Sequence, residues 1–238
     1  MIGIVIPAHN EQERIGACLA SIQLACAHAA LRGEAIKVVV VLDDCDDDTA
    51  LIAAQYPVML LSCTARNVGI ARARGAAHLI EAGARWLAFT DADSCVAPDW
   101  LSAQLSFDAD VVCGTVEVAD WPLFGDEADL LRGDFQRHYQ DADDHRHVHG
   151  ANLGLSTQAY LRAGGFAPLA CSEDQVLVDT LAAQGARIAW TALPRVRTSA
   201  RQDPRAAGGF GDTLKAALLR CRQHAADMAA PVADVVGG

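Results

Sequence analysis

The sequence lacks the signatures of several common protein classes. Its eight cysteines are scattered, without a Cys-x-x-Cys pair or a Cys/His cluster at zinc spacing, which argues against disulfides and structural zinc. Isolated buried thiols in a reducing compartment are the simpler interpretation. No apolar run approaches the roughly 20 residues of a membrane span, and the first residues show no signal peptide. We expect a cytoplasmic protein without a transmembrane segment, and peripheral contact with a membrane stays open.

Basic residues are also scarce. The 238-residue chain has 19 Lys and Arg against 30 Asp and Glu, a formal net charge of −11, so nucleic acid is a poor candidate for its main partner. Apolar residues make up 52% of the chain and charged residues 21%, enough to bury a sizeable core. An acidic protein that binds an anionic nucleotide must concentrate its few arginines or use a metal ion.

Strand and helix patterns alternate in the first half of the chain. Apolar runs predict strands, and amphipathic stretches predict helices between them. The predicted strands are 2–6, 37–42, 58–61 and 85–90, and the main predicted helices are 11–30 and 67–81. Asn10 and Glu13 fit a capping box, and Gly83 marks a helix end. This rhythm predicts an α/β fold with a mostly parallel central sheet and helices on both faces.

The second half is less regular, without a repeat or a Pro- or Ser-rich linker, so we expect a single domain. Predicted helices are 98–107, 126–140, 157–163, 172–184 and 212–227, and predicted strands are 110–118, 187–190 and 196–198. The segment 141–149 is rich in acids and histidines. We expect His145, His147 and His149 to be solvated in a loop, with a shared metal on an extended strand as the alternative.

Two carboxylates follow the fourth predicted strand. Asp91 and Asp93 stand one residue apart at its end, and open α/β sheets bind ligands at the carboxyl ends of their strands. The pair suits Mg²⁺ or Mn²⁺ that already holds a substrate's phosphates, because Mg²⁺ takes few protein ligands. A solvated turn is the alternative for this short pattern taken alone.

Further acids follow the second predicted strand, at positions 43, 44 and 46–48. Asp47 or Asp48 can cap the next helix. Capping does not need Asp43, whose carboxylate can accept a hydrogen bond from a pyrimidine N–H or a ribose hydroxyl. A solvated acidic turn explains the segment equally well.

Three arginines lie near the start of the helix predicted at 67–81, where acids are more usual. Arg66, Arg72 and Arg74 fit a nearby diphosphate, since helix N-termini and guanidinium groups both attract phosphate. Solvated surface arginines are the alternative. The small residues Gly69 and Gly75 indicate close packing of this helix on the sheet.

Taken in their order along the chain, the strand end at 7–11, the acidic turn at 43–49, the arginine segment at 66–74 and the Asp-x-Asp pair at 91–93 resemble a family-two glycosyltransferase with the GT-A fold. This fold is the α/β sandwich of nucleotide-diphospho-sugar transferases. The resemblance continues downstream and covers roughly residues 1–215. Its motifs are Pro7-Ala8-His9-Asn10-Glu11, the acidic turn that ends at Thr49, Arg-Asn-x-Gly-x-Ala-x-Ala-Arg at 66–74, Asp-x-Asp at 91–93, His-Gly-Ala-Asn-Leu at 149–153, Ala-Gly-Gly-Phe at 163–166 and Ser-Glu-Asp-Gln at 172–175.

The resemblance implies a donor half at 1–95, an acceptor half at 96–211, and a C-terminal helix and tail at 212–238. It places Pro7, Ala8 and Glu11 around the base or ribose of a nucleotide-diphosphate sugar, and Asp43 on the base. Asp93 would be the main ligand of Mg²⁺ or Mn²⁺, and Asp91 would bind ribose or share the metal. Arg72 or Arg74 would add charge near the donor, with the metal neutralising the leaving diphosphate.

The resemblance also implies inverting transfer to an acceptor hydroxyl, with Asp174 as general base beside Glu173. Acids in the first turn of a helix are the plainer explanation of that pair. His149, Gly150 and Asn152 would line the acceptor pocket. Arg201 and Arg205 resemble a loop that closes over the donor, with an ordinary surface loop as the alternative.

The sequence departs from the family pattern at two places. The acidic turn lacks the usual Ser, and Asp179 and Thr180 occupy the region where an Arg often follows the acidic dipeptide. A sugar-phosphate nucleotidyltransferase is an alternative function, although its glycine-rich loop is missing after the first strand. A non-catalytic nucleotide-sugar-binding protein is the other alternative.

Overall fold

A single eight-stranded sheet forms the centre of the protein. The computed structural model describes residues 1–119, 121, 125, 127–200 and 217–220. The strands are β1 (Ile2–Ala8), β2 (Ile36–Asp43), β3 (Met59–Cys63), β4 (Trp86–Phe89), β5 (Ser94–Val96), β6 (Val111–Val118), β7 (Leu153–Ser156) and β8 (Ile188–Thr198). Their order across the sheet is β3-β2-β1-β4-β7-β6-β8-β5.

Seven helices surround this sheet in the described part of the chain. They are α1 (Ile15–Cys26), α2 (Thr49–Ala53), α3 (Val68–Glu81), α4 (Trp100–Leu105), α5 (Ala128–His138), α6 (Thr157–Arg162) and α7 (Glu173–Ala183). Short 3₁₀ turns occur at Ala29–Leu31 and Gly150–Asn152. Residues 217–220, inside the helix predicted at 212–227, are helical, and the rest of that prediction lies outside the described residues.

The first four strands in the order, β3, β2, β1 and β4, are parallel, as the sequence predicts. Side chains of β1 alternate between two core clusters: Ile4 and Ile6 pack on the α1 face, and Val5 packs on the opposite face with α3 residues. A Cβ on Gly75 of α3 would lie 2.5 Å from Val5 Cγ1. The absence of a side chain at Gly75 therefore lets α3 approach the sheet, which confirms the packing predicted there.

The other half of the sheet is mixed. β7 runs antiparallel to β4 and β6, and β5 runs antiparallel to β8. The strands predicted at 187–190 and 196–198 are one strand, β8, which continues through Pro194 with a register shift opposite Gly114 and Val116 of β6. Pro194 stands where the ladder is interrupted, since a proline has no N–H to donate.

One helix start predicted from the sequence is wrong. The first helix begins at Ile15, and Asn10 does not cap it. Asn10 instead adopts a left-handed backbone (φ 53°) and its amide exchanges hydrogen bonds with Asp46, at 2.6 Å and 3.0 Å. The prediction for α3 is confirmed, because the Asn67 side chain accepts the Ile70 N–H at its start and Gly83 (φ 88°) follows its end.

Two further sequence expectations concern thiols and membranes. The seven described cysteines are all free, and three of them, Cys18, Cys63 and Cys113, are buried. Within the described residues, none of the helices has the length and apolar character needed to cross a membrane.

Candidate active site

The carboxyl ends of the parallel strands carry a cluster of acids. Cys18 on α1 lies next to these acids, and its thiol donates to the Asp91 carbonyl at 3.4 Å. Burial raises the pKa of the Cys18 thiol, and its coupling to the Cys95 thiol and to the carboxylates of Asp93, Asp91 and Glu11 raises that pKa further. The carboxylates of Asp91, Asp93 and Glu11 therefore lie near this thiol.

Arg72 lies beneath this cluster and is buried. Its Nη2 donates to Asp91 Oδ1 at 2.5 Å, and its Nη1 donates to Glu173 Oε1. One guanidinium thus joins the Asp-x-Asp segment to the first turn of α7. The pairing uses Asp91 Oδ1 and leaves Oδ2 for another ligand.

The structure does not bring the three predicted arginines together. Arg74 is exposed, because two residues along a helix turn the side chain by about 200° from Arg72. Arg66 is exposed as well, and its Nε donates to Asp44 Oδ2 at 2.5 Å. The single arginine-lined diphosphate site predicted from this segment is therefore not formed by these three side chains.

The start of α3 is also occupied by protein groups. The Asn67 side chain accepts the Ile70 N–H at 3.0 Å, and the Leu169 carbonyl accepts the Gly69 N–H at 3.1 Å. A Cβ on Gly69 would lie 2.2 Å from the Ala167 carbonyl oxygen. Gly69 thus packs against the 167–169 segment and not on the sheet, and the prediction that this helix start attracts a diphosphate has no support from its geometry.

Asp43 organises the connection between β3 and α3. Its Oδ1 accepts the N–H groups of Ala65 and Arg66, at 2.7 Å and 2.9 Å, and its Oδ2 accepts that of Asn67 at 2.8 Å. Burial would raise the pKa of Asp43, but these donors hold it below the ordinary value. Within the described residues Oδ2 accepts a single N–H and retains capacity for another donor, such as the N–H of a base.

The acidic turn after β2 forms hydrogen bonds with the loop that follows β1. Asp47 Oδ1 accepts the Thr49 N–H at 3.0 Å within the turn, and its Oδ2 accepts the Gln12 N–H at 3.1 Å. Asp48 is the N-cap residue of α2 but makes no side-chain cap bond, so the predicted capping by Asp47 or Asp48 is wrong. The Glu11 N–H donates to Thr49 Oγ1 at 2.7 Å. Glu11 and Ala8 are consequently buried at the strand ends, and Pro7 beside them is half-buried.

The acidic dipeptide opens α7. Glu173 is buried against Arg72, whereas Asp174 is half-buried. Asp174 Oδ2 accepts the Gly150 N–H at 2.6 Å, and a Cβ on Gly150 would lie 2.3 Å from Cζ of Arg72. The structure therefore brings Asp91, Arg72, Gly150, Glu173 and Asp174 into one contiguous group.

His149 precedes Gly150 and is held neutral. Burial lowers the pKa of His149 to about 3, with smaller contributions from His147 and His145 and an opposing one from Asp91. The Tyr139 hydroxyl lies 2.9 Å from His149 Nε2 and accepts the Val116 N–H at 2.8 Å. Tyr139 was not among the predicted site residues.

The prediction that the histidines are solvated is wrong for His145. His145 is fully buried, with Nε2 at 3.1 Å from the Cys113 carbonyl oxygen and Nδ1 accepting the His147 N–H at 3.0 Å. Asp141 binds Thr115 and Arg195, and Asp143 binds Thr191. The segment is therefore pinned to the sheet.

The aromatic rings of this segment form a stack. His145, His147, Tyr139 and Phe135 lie with successive centroids 5.5, 4.3 and 4.5 Å apart and with interplanar angles of 15°, 12° and 17° between successive rings. No group of three or more His, Cys, Asp or Glu in the described part of the chain is arranged to hold a metal ion. The alternative of a three-histidine metal site therefore has no support there.

Asn152 supports the site from within the core. It is fully buried, its Nδ2 donates to the carbonyls of Thr115 and Pro194 at 2.7 Å and 2.9 Å, and its Oδ1 accepts the Trp100 indole N–H at 2.9 Å. All the polar atoms of its amide are used inside the protein. Asn152 thus fixes the Gly150–Asn152 turn and is not in a position to line an acceptor pocket.

Comparison with known proteins identifies the family. The sequence model described as "Glycosyl transferase family 2" matches residues 3–161, well over half of the chain, and the chain belongs to this family. The matched region contains Asp43, Arg72, Asp91 and Asp93 and ends before α7. No curated protein sequence matches the chain.

Solved structures of glycosyltransferases share the fold. The mannosyltransferase PcManGT from Pyrobaculum calidifontis in complex with GDP-Man and Mn²⁺ superposes with a TM-score of 0.63 at 18% identity, covering 97% of this chain and 76% of that one. Glucosyl-3-phosphoglycerate synthase from Mycobacterium tuberculosis in complex with Mn²⁺, UDP and phosphoglyceric acid gives 0.58 at 19% identity, covering 98% and 80%.

S. aureus TarS 1-349 in complex with UDP-GlcNAc gives a TM-score of 0.62 at 15% identity, covering 88% of this chain and 61% of that one. The chain thus spans about three fifths of that structure's length. At these identities the similarity shows the fold, the GT-A arrangement of a mostly parallel sheet with helices around it.

Proposed function

We propose that this chain is an inverting glycosyltransferase, dependent on a divalent cation, that moves a sugar from a nucleoside-diphosphate donor to an acceptor hydroxyl. The observation that carries the proposal is the gathering of Asp91 and of the Glu173-Asp174 dipeptide around Arg72, in a chain of glycosyl transferase family 2. The donor half (1–95), the acceptor half (96–211) and a cytoplasmic location belong to the same proposal.

The donor side is proposed at the ends of β1, β2 and β4. Asp43 Oδ2 has capacity for a base N–H, and Pro7, Ala8 and Glu11 lie on the neighbouring strand end. Relatives of the same fold have been solved with UDP-GlcNAc and with GDP-Man, so a uridine or guanosine diphosphate sugar is the donor class to test. Arg201 and Arg205, which lie outside the described residues, are proposed to contact the diphosphate.

The cation is proposed to be Mg²⁺ or Mn²⁺ held by Asp93 and by Asp91. The donor set fits such an ion, because carboxylate oxygens are the ligands these ions prefer and the pairing of Asp91 with Arg72 uses only Oδ1. When bound, the cation neutralises charge on the leaving diphosphate. Two relatives of this fold were solved with Mn²⁺.

The acceptor side is proposed to form around His149 and Gly150, with Asp174 as base. Asp174 takes the proton of the acceptor hydroxyl while that oxygen bonds to the anomeric carbon, and the bond to the nucleoside diphosphate breaks on the opposite face. Glu173 is buried against Arg72, which leaves a single carboxylate of the dipeptide to act. We propose direct displacement, which inverts the anomeric centre because the acceptor oxygen attacks the face opposite the departing diphosphate.

A donor panel tests the proposal. UDP- and GDP-sugars with Mn²⁺ are supplied to the protein with a mixture of hydroxyl acceptors, and released nucleoside diphosphate and glycosylated product are measured together. We expect both to appear and to be lost in Asp174→Asn, while donor binding remains. Release of pyrophosphate from a nucleoside triphosphate would instead identify a nucleotidyltransferase, and binding without turnover would identify a binding protein.

A further inference from the structure

We propose that Arg72 is a positioning residue that fixes the distance between Asp91 on the donor side and the first turn of α7, which contains the base Asp174. This role rests on the proposed function. Arg72 makes no contact with the acceptor-side base itself in the described structure. It acts through Glu173, which precedes Asp174, and through Gly150, whose N–H binds Asp174. The sequence suggested donor binding for Arg72, and the geometry points to this different role.

The two acidic partners of Arg72 come from distant parts of the chain. Asp91 is 19 residues away and Glu173 is 101 residues away. Nη2 serves the first and Nη1 serves the second, so the spacing between the two carboxylates is set by the planar guanidinium. A lysine ammonium would keep the charge but has a single nitrogen, so it could not reproduce the planar pair of donors that Nη1 and Nη2 provide.

Gly150 packs directly against the Arg72 guanidinium. A Cβ at this position would fall 2.3 Å from Nη2 and 2.4 Å from Nη1 of Arg72, so only glycine lets the peptide rest on the guanidinium. The N–H of that same peptide orients Asp174 Oδ2 at 2.6 Å. A shift of the guanidinium is therefore passed directly to the hydrogen bond that orients the base.

Phe166 limits movement on another side, since Cζ of Arg72 lies 5.9 Å from its ring centroid. Arg72 and Glu173 are both buried. Removal of Arg72 leaves the Glu173 carboxylate in a buried position without its cation, which is strongly unfavourable. We expect the start of α7 to move in response and Asp174 to lose its alignment.

The test separates positioning from folding. Arg72→Lys keeps the charge, and the double variant Arg72→Met/Glu173→Gln removes the guanidinium without leaving a buried charge. Arg85→Lys is the matched control, because Arg85 also forms a two-nitrogen pair, with Glu34, but is exposed and away from the site. Urea unfolding establishes that each variant is folded, and calorimetry with UDP–Mn²⁺ and GDP–Mn²⁺ measures nucleotide binding independently of turnover.

We expect the Arg72 variants to lose kcat on the order of 100-fold, as small misplacements of a catalytic group do, with nucleotide affinity changed far less. The control should keep wild-type constants. Wild-type kcat in Arg72→Lys would overturn the proposal, and so would an equal loss of kcat and nucleotide affinity, which would mean direct donor contact. If the double variant does not fold, Arg72→Lys decides. Absence of transfer by the wild-type protein would instead defeat the proposed function.

Discussion

Arg72 and Glu173 form an ion pair in which the side chains are only 5% and 3% exposed. Arg72 lies on α3, which packs on the parallel strands. Glu173 is the first residue of α7, which packs with residues of β6 and β7 in the mixed part of the sheet. The pair therefore joins the two parts of the fold next to Asp91 and Asp174. Loss of one partner of such a pair costs about 3–5 kcal/mol in comparable proteins, because the other charge stays buried.

Gly150→Ala should disable the site while the chain remains folded. The added Cβ would meet the Arg72 guanidinium at 2.3 Å, and the Gly150 N–H that orients Asp174 would shift with it. We expect kcat to fall on the order of 100-fold, measured in the transfer assay. Gly16→Ala is the control, because its Cβ would meet its neighbours at 3.6 Å and an alanine favours a helix; equal activity of the two variants would refute the contact.

Asp43→Asn should destabilise the protein even without ligand. An asparagine has a single acceptor oxygen, so it cannot replace both Oδ1, which accepts the Ala65 and Arg66 N–H groups, and Oδ2, which accepts that of Asn67. We expect the free energy of unfolding in urea to fall by about 1–3 kcal/mol, the cost of leaving a buried donor unpaired. Asp48→Asn, at an exposed position of the same turn, should be nearly neutral, and similar losses in both variants would contradict this role.

Stability should decline as pH falls from 6.5 to 4.5. Burial lowers the pKa of His149 to about 3 and also lowers that of His147, whereas an unfolded histidine titrates near 6.5. In this window the unfolded chain gains protons that the folded chain does not, so the free energy of unfolding falls by up to about 1.4 kcal/mol per pH unit for His149, and His147 acts in the same direction. The window lies above the ordinary pKa of carboxyls.

The histidine contribution is isolated by urea unfolding of His149→Gln at pH 6.5, 5.5 and 4.5. The slope of unfolding free energy against pH should be shallower than in wild type, because the glutamine does not titrate. His138→Gln serves as control, since His138 is 73% exposed. An unchanged slope in His149→Gln would show that this histidine is not held neutral by the fold.

The sequence predicted those elements of the fold that carry long or punctuated patterns. β1 and β2 are strands of seven and eight residues built mostly from apolar residues, and α3 has both a capping Asn67 and a terminating Gly83. β5 and β7 have three and four residues, too short for a period of two to be recognised. Their antiparallel direction depends on pairing with β8 and β4, which local patterns do not contain.

The sequence suggested which residues belong to the candidate site better than it suggested the contacts between them. It suggested Asp91, Asp93 and the Glu173-Asp174 pair as site acids, and these roles stay predictions. The bond of Glu173 to Arg72 spans 101 residues and leaves no local signal. The helical period could have separated Arg72 from Arg74. Tyr139 and the burial of His145 depend on partners such as Val116 and the Cys113 carbonyl, which only the assembled sheet supplies.

The most direct test of a cation-assisted donor site is calorimetric titration with UDP and GDP, with and without Mn²⁺, in the wild-type chain, Asp93→Asn and the exposed control Asp99→Asn. We expect Mn²⁺ to strengthen binding of one nucleotide at least about tenfold, equivalent to 1.4 kcal/mol, in the wild type and in Asp99→Asn but not in Asp93→Asn. Undiminished Mn²⁺-dependent binding in Asp93→Asn would contradict the account.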